Sequence, residues 1–269
     1  MIEDLIQLER PFEANGYNGE GEEAFIFLPG TGPVLLSAPH AVNHFRKGEI
    51  KHADLFTGAI ARYLNIRTGC PVICSAAYRE GDPNFDQFDQ NTYQQALIEY
   101  VKLQDIRVLL DLHGAGRARE YALEIGTSDA PAQESTIEGN QLAGEETTMA
   151  ENPSLKEYRF LDELAEQTIA YFIAPCSTEK KEIWKNRIFA ARGETRITRV
   201  VAERTKAACM QLEINRMYRD PAYPEEMEAM VHALECYIRI LQEADWTKSP
   251  LELEKECFSG LRGVLRDGE

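Results

Sequence analysis

The chain has 269 residues, 43% of them hydrophobic and 28% charged, which is the make-up of a folded globular protein and excludes a disordered one. That length suits one large α/β domain. A formal net charge of −16 argues against nucleic acid as a partner, since phosphate binding needs clustered Lys and Arg.

The N-terminus is acidic and lacks the apolar core of a signal peptide. No apolar run approaches the ~18 residues of a membrane span. The six cysteines are scattered without a CxxC pair, and most sit in or beside apolar runs, so they are read as reduced thiols in a cytoplasmic protein. Residues 1–22 are polar and carry Gly16, Gly19 and Gly21, so a loosely attached N-terminal segment is expected.

Residues 24–29 (AFIFLP) read as a short strand. Gly30, Gly32 and Pro33 supply a turn into PVLLSAPH, residues 33–40, predicting a hairpin with the next strand. His40 follows that strand immediately, at the rim where open α/β sheets bind ligands. A polar stretch with His44 and Arg46 leads to a helix of about four turns beginning near Asp54 and closed by Gly69. Asp54 in its first turn is either a helix cap or a metal ligand.

A strand over 71–78 runs into a long polar loop holding Arg79, Asp82, Asn84 and Asp86; a helix over 93–102 follows. VLLDLHG, residues 108–114, is a buried strand ending in Asp111 and His113, which point to the same face. Asp111 either supports a neighbouring ligand or satisfies a backbone group. Residues 121–127 form another strand, and 128–155 a long acidic loop. A helix is expected over 155–172, a strand over 182–191 and a helix with a basic face over 195–207.

CMQLEIN, residues 209–215, is a strand with Gln211, Glu213 and Asn215 on one face. A buried carboxylate needs a partner. Glu213 is therefore either salt-bridged, to Arg196 or Arg216, or a general base. Residues 224–243 form a strongly amphipathic helix, and 247–269 a peripheral tail. Strands separated by helices predict a three-layer α/β/α sandwich around a mixed, mostly parallel sheet, in a single domain spanning 1–269.

Three apolar strands thus end on His40, His113 and Glu213. Catalytic zinc commonly takes three His and Asp or Glu ligands and leaves a position for water. His40, His113 and Asp54 are the proposed ligands of one zinc ion. HAVNH lacks the second-place Glu of HExxH, so His44 is assigned to substrate or secondary contacts, while His52 and His232 are read as surface or helix residues. There is no GxSxG, Walker loop or GxGxxG.

SAPHAVNHFRKGEIKHADLFTG, the 79–86 loop, LLDLHG, LEIGT and QLEINRMYRD together resemble, in this order, the N-formylglutamate amidohydrolases, which are similar to zinc carboxypeptidases in fold. The resemblance runs from about Val34 to Asp220. It implies metal ligands at His40 and His113, Glu213 as the catalytic carboxylate, and Arg79, Asn84 and Arg216 as polar or carboxylate-binding residues. The carboxypeptidase position for the acidic ligand, three after the first histidine, is Asn43, so Asp54 takes that role here. The reading is a cytoplasmic, zinc-dependent hydrolase of an amide in a small anionic N-acyl amino acid, with Arg46, Arg79 or Arg216 gripping a carboxylate. The alternatives are a poly-γ-glutamate or small-peptide hydrolase of the same fold, and a metal-free anion-binding module. The sequence leaves the oligomeric state open.

Overall fold

A computed structural model describes residues 1–19, 22–78, 81–127 and 158–267. The predicted acidic loop, residues 128–155, and Arg79 fall outside the described residues.

The strands are β1 (Phe25–Leu28), β2 (Val34–Ala38), β3 (His44–Arg46), β4 (Glu49–Lys51), β5 (Val72–Ser75), β6 (Val108–Ala115), β7 (Tyr121–Gly126), β8 (Glu182–Lys185) and β9 (Ala208–Asn215). The helices are α1 (Ile2–Tyr17), α2 (Thr57–Thr68), α3 (Thr92–Leu103), α4 (Phe160–Ile173), α5 (Ile197–Arg204), α6 (Pro224–Glu243) and α7 (Pro250–Asp267). Seven strands form one sheet in the order β1-β5-β2-β6-β9-β7-β8, while β3 and β4 make a separate hairpin. The β5-β2, β2-β6, β6-β9 and β7-β8 pairs are parallel; β1-β5 and β7-β9 are antiparallel.

Helices cover both faces, giving the expected three layers. Leu36, Leu110, Leu112, Met210 and Ile214 pack on one side with apolar residues of α1, α2, α4, α6 and α7. Leu35, Leu109 and Cys209 pack on the other with α3 and α5. β2, β6 and β9 are buried along their length because each has strand neighbours on both edges and helices on both faces.

Three expectations need correction. β1 does not form a hairpin with β2; it pairs with β5 at the sheet edge, and β2 lies between two parallel neighbours. The N-terminal segment is not loosely attached. It forms α1, whose Leu5 and Phe12 are 0% and 1% exposed, and Phe12 rests where a Cβ on Gly58 would come within 2.7 Å of its ring. The strand expected over 182–191 stops at Lys185, leaving residues 186–196 as a loop before α5. No helix among the described residues is long and apolar enough to cross a membrane.

Candidate metal centre and cleft

His40, Asp54 and His113 converge at the C-terminal ends of β2 and β6. Backbone geometry starts the convergence: the Asp54 N–H donates to the His40 carbonyl at 2.8 Å. Asp54 precedes α2 instead of lying inside it, and its side chain makes no helix cap. Its Oδ2 faces His40 Nδ1 at 3.2 Å and His113 Nδ1 at 3.6 Å, and the two Nδ1 atoms are 3.2 Å apart. These separations match the ~3.4 Å edge of a tetrahedron built on zinc–ligand bonds of about 2.0–2.1 Å.

The far nitrogen of each imidazole faces a buried carboxylate. His40 Nε2 donates to Asp82 Oδ1 at 2.9 Å, and His113 Nε2 to Asp111 Oδ2 at 2.8 Å. A proton on each Nε2 leaves each Nδ1 with a lone pair aimed at the centre, the arrangement carboxylates impose on metal-bound histidines. Of the two readings of Asp111, support of His113 is the one its geometry fits. Asp82 is wholly buried and also receives the Arg46 guanidinium, through Nε at 2.8 Å and through Nη2. Burial would raise its pKa, but His40 and Arg46 hold it well below the usual carboxylate range. Asp54 behaves alike: burial opposes ionisation, but the two histidines and Lys51, whose Nζ lies 2.8 Å from Oδ1, keep it strongly acidic.

The donor set fits a divalent cation of borderline softness: two neutral imidazole nitrogens and one carboxylate oxygen, all buried. Two lone pairs and an anion in contact attract positive charge. Burial alone would lower the His113 pKa, yet the Asp111 and Asp54 carboxylates raise it to about 10. A metal ion would take the place of that proton.

Glu213 is the direct register partner of His113 across β6-β9, so both side chains stand on the α3–α5 face of the sheet. Its Oε1 accepts from Gln211 Nε2 at 2.8 Å. Burial raises its pKa, with Asp54 adding to and His113 opposing the shift. Neither expected salt-bridge partner is used for a bridge to it: Arg216 pairs with Asp220 and Arg196 Nη1 donates to the Asn84 carbonyl.

A cleft of about 500 Å³ opens over these groups, walled by the hairpin β3-β4, the 81–91 loop and the 186–196 loop. His40, Asp54, His113, Glu213, Arg46 and Asn84 line it; His44 and Arg216 do not. His44 is buried beneath, its Nε2 2.7 Å from the Pro39 carbonyl and its Nδ1 3.1 Å from that of Gly81; burial, with His40 nearby, lowers its pKa to about 4. It holds the turn that delivers His40. The Arg216 side chain is half exposed and paired with Asp220 at 2.9 Å. Asn84 is committed to structure, its Oδ1 accepting from the Ile197 N–H at 2.9 Å.

Sequence reading passed over most of the cleft's cations. Arg119, Arg187, Arg192 and Arg196 join Arg46 and Lys51 around it. Arg192 Nε and Nη2 are buried without a hydrogen-bond partner among the described residues. Glu124, a buried register neighbour of Glu213, fixes this wall by accepting from the Ile188 and Phe189 N–H groups. The interrupted pattern NRIFAARGETR, which carries three of the cleft's arginines, was the available signal.

No family model matches the chain and no curated relative matches it. Similar solved structures include a gene product of Agrobacterium tumefaciens, at 12% identity over 90% of this chain and 97% of that one, with a TM-score of 0.47. N-formylglutamate amidohydrolase from Ralstonia eutropha is 14% identical over 91% and 99% of the two chains, with a TM-score of 0.43. Metallo-carboxypeptidases from Burkholderia cenocepacia and Pseudomonas aeruginosa are each 10% identical over 80% of this chain, with TM-scores of 0.40 and 0.42. The named enzymes among these are hydrolases. The chain spans 60% of the length of each of those carboxypeptidases.

Proposed function

We propose that the protein is a zinc-dependent hydrolase that cleaves an amide bond of a small anionic substrate of the N-acyl amino acid class. The observation that carries this reading is the buried His40–Asp54–His113 triangle, with the Nε2 of each histidine against a buried carboxylate, beside Glu213 in one cationic cleft.

One zinc ion held by His40 Nδ1, Asp54 Oδ2 and His113 Nδ1 would supply Lewis acidity toward the scissile carbonyl and lower the pKa of water. Glu213, its pKa raised by burial, takes a proton from the attacking water. The water oxygen bonds to the carbonyl carbon, the C–N bond breaks, and Glu213 returns the proton to the departing nitrogen. Gln211 holds Oε1 of Glu213 during the transfer. Arg192 lines the cleft, and its buried, unpartnered nitrogens become a planar donor edge for a substrate carboxylate once the side chain turns toward the cleft, which supports an anionic substrate despite the chain's net charge of −16.

Elemental analysis of untagged protein is expected to give about one equivalent of zinc, lost in His40→Ala. Glu213→Gln should abolish turnover of a panel of N-acyl amino acids and γ-glutamyl peptides while keeping that zinc. A protein that binds acidic ligands but no metal would establish the anion-binding module instead. Zinc lost from Glu213→Gln would make Glu213 a ligand.

A further inference from the structure

The peptide group joining Leu55 to Phe56 is held from both sides by buried ionisable side chains. Its N–H donates to Glu9 Oε1 at 2.7 Å, and its carbonyl accepts from Arg219 Nη1. Glu9 is 3% exposed on α1, and Arg219 is 5% exposed just after β9. Asp54 is the residue immediately before this peptide. Phe56 sits at φ +67°, a conformation that costs a bulky residue of order 1–3 kcal/mol and persists only where its surroundings enforce it.

Arg219 reaches further. Its Nε donates to the Ile214 carbonyl at 3.2 Å and its Nη2 to that of Ala115 at 3.2 Å. One guanidinium therefore joins the backbone next to Asp54, next to Glu213 and two residues beyond His113. It lies on the opposite sheet face from those side chains. A Cβ on Gly114, which alternates away from His113, would stand 2.5 Å from Arg219 Cζ, so the glycine gives the guanidinium its place against the strand. Three carbonyl acceptors solvate the charge where water is excluded.

We infer that Arg219 and Glu9 are positioning residues, a two-sided clamp on the Leu55–Phe56 peptide that sets the Asp54 carboxylate against His40 and His113, with Arg219 tying the ends of β6 and β9 to the same point. The effect on metal affinity rests on the zinc reading above; the clamp on the backbone does not. Glu9 touches neither cleft nor ligand and acts only through the segment it holds.

Two measurements on folded protein test this. Amide hydrogen exchange of the metal-free protein should show residues 54–58 exchanging at least tenfold faster in Glu9→Ala and in Arg219→Ala, with Arg219→Lys serving if the alanine variant does not fold. Glu9→Gln, which keeps an oxygen facing the Phe56 N–H, should restore slow exchange. Chelator competition should show zinc affinity reduced tenfold or more by Glu9→Ala, with no further reduction when Asp54 is already alanine. Unchanged exchange at 54–58 in the variants overturns the clamp. So does a Glu9→Ala loss that persists in full in the Asp54→Ala background, which is what a general loss of stability would give. A wild type without zinc affinity refutes the metal reading, and exchange then decides the clamp alone.

Discussion

Replacing Asp82 by asparagine keeps the side chain's shape and removes its charge. In the wild type its oxygens receive the His40 Nε2–H at 2.9 Å, the Asn84 N–H at 2.9 Å and the Arg46 guanidinium. An amide offers one oxygen to these donors and turns an NH2 toward the remainder. If the oxygen stays with Arg46, a donor faces His40 Nε2, and the imidazole relieves the conflict by moving its proton to Nδ1, the ligand atom. If the oxygen stays with His40, the partly exposed Arg46 guanidinium loses its buried anion, and each hydrogen bond to a charged group is worth about 1.5–3 kcal/mol. Asp82→Asn should therefore cost about 3 kcal/mol of folding stability, and zinc affinity should fall roughly tenfold to a hundredfold, the range for loss of a ligand-orienting carboxylate. Urea unfolding reads the first quantity and competition with a chromophoric chelator at neutral pH the second. A variant that binds zinc within threefold of wild type would refute the argument that Asp82 sets the His40 tautomer.

Arg192→Gln removes the unpartnered guanidinium edge and is expected to raise KM for an anionic substrate roughly tenfold to a hundredfold with little change in kcat, since a contact made equally in ground and transition states supports binding alone; steady-state kinetics with an unchanged KM would rule that contact out. Gly114→Ala should destabilise the fold by about 1–3 kcal/mol, because the Arg219 guanidinium is pinned by three carbonyls and cannot retreat from a Cβ 2.5 Å from Cζ; thermal or urea unfolding measures it, and wild-type stability would contradict it. Burial raises the Glu9 pKa to about 7. The folded protein then holds a proton that the unfolded chain has released, so this contribution is present below the ordinary glutamate value of 4.5 and is lost as pH rises through about 7. It amounts to about 3 kcal/mol, so Glu9→Gln should gain stability on wild type between pH 5 and pH 8; parallel stability profiles would disprove it.

The central strands β2, β6 and β9 and the long helix α6 were legible because burial on both faces, or a clean helical stripe, writes itself into the spacing of apolar residues. His40, His113 and Glu213 were legible for the related reason that polar residues interrupt such runs only where something satisfies them. Helix α1 was misread because Pro11, Gly16 and Gly19 suggest loop, while the anchors Leu5 and Phe12 are few. The pairing of β1 with β5 was hidden because hairpin formation is a local inference, whereas strand order is set by the whole sheet. Asp82 was named without a role and Arg219 was passed over because their importance lies in partners 42 and 164 residues away. Arg216 attracted attention through its motif, but its neighbour three residues on is the one the fold buries.

The contrast between an acidic exterior and a guanidinium-lined cleft has a kinetic consequence. An approaching anion first meets the field of the −16 net charge, which repels it. Inside the cleft it meets fixed donors a few ångströms away. The first force acts over distances beyond the ~8–10 Å at which physiological electrolyte already damps it, and the second acts well within that length. Ions in solution therefore lower the outer barrier while leaving the inner attraction largely intact, so on the proposed reading entry of a small anionic substrate should quicken as the medium becomes more saline, the reverse of what a uniformly basic binding surface gives.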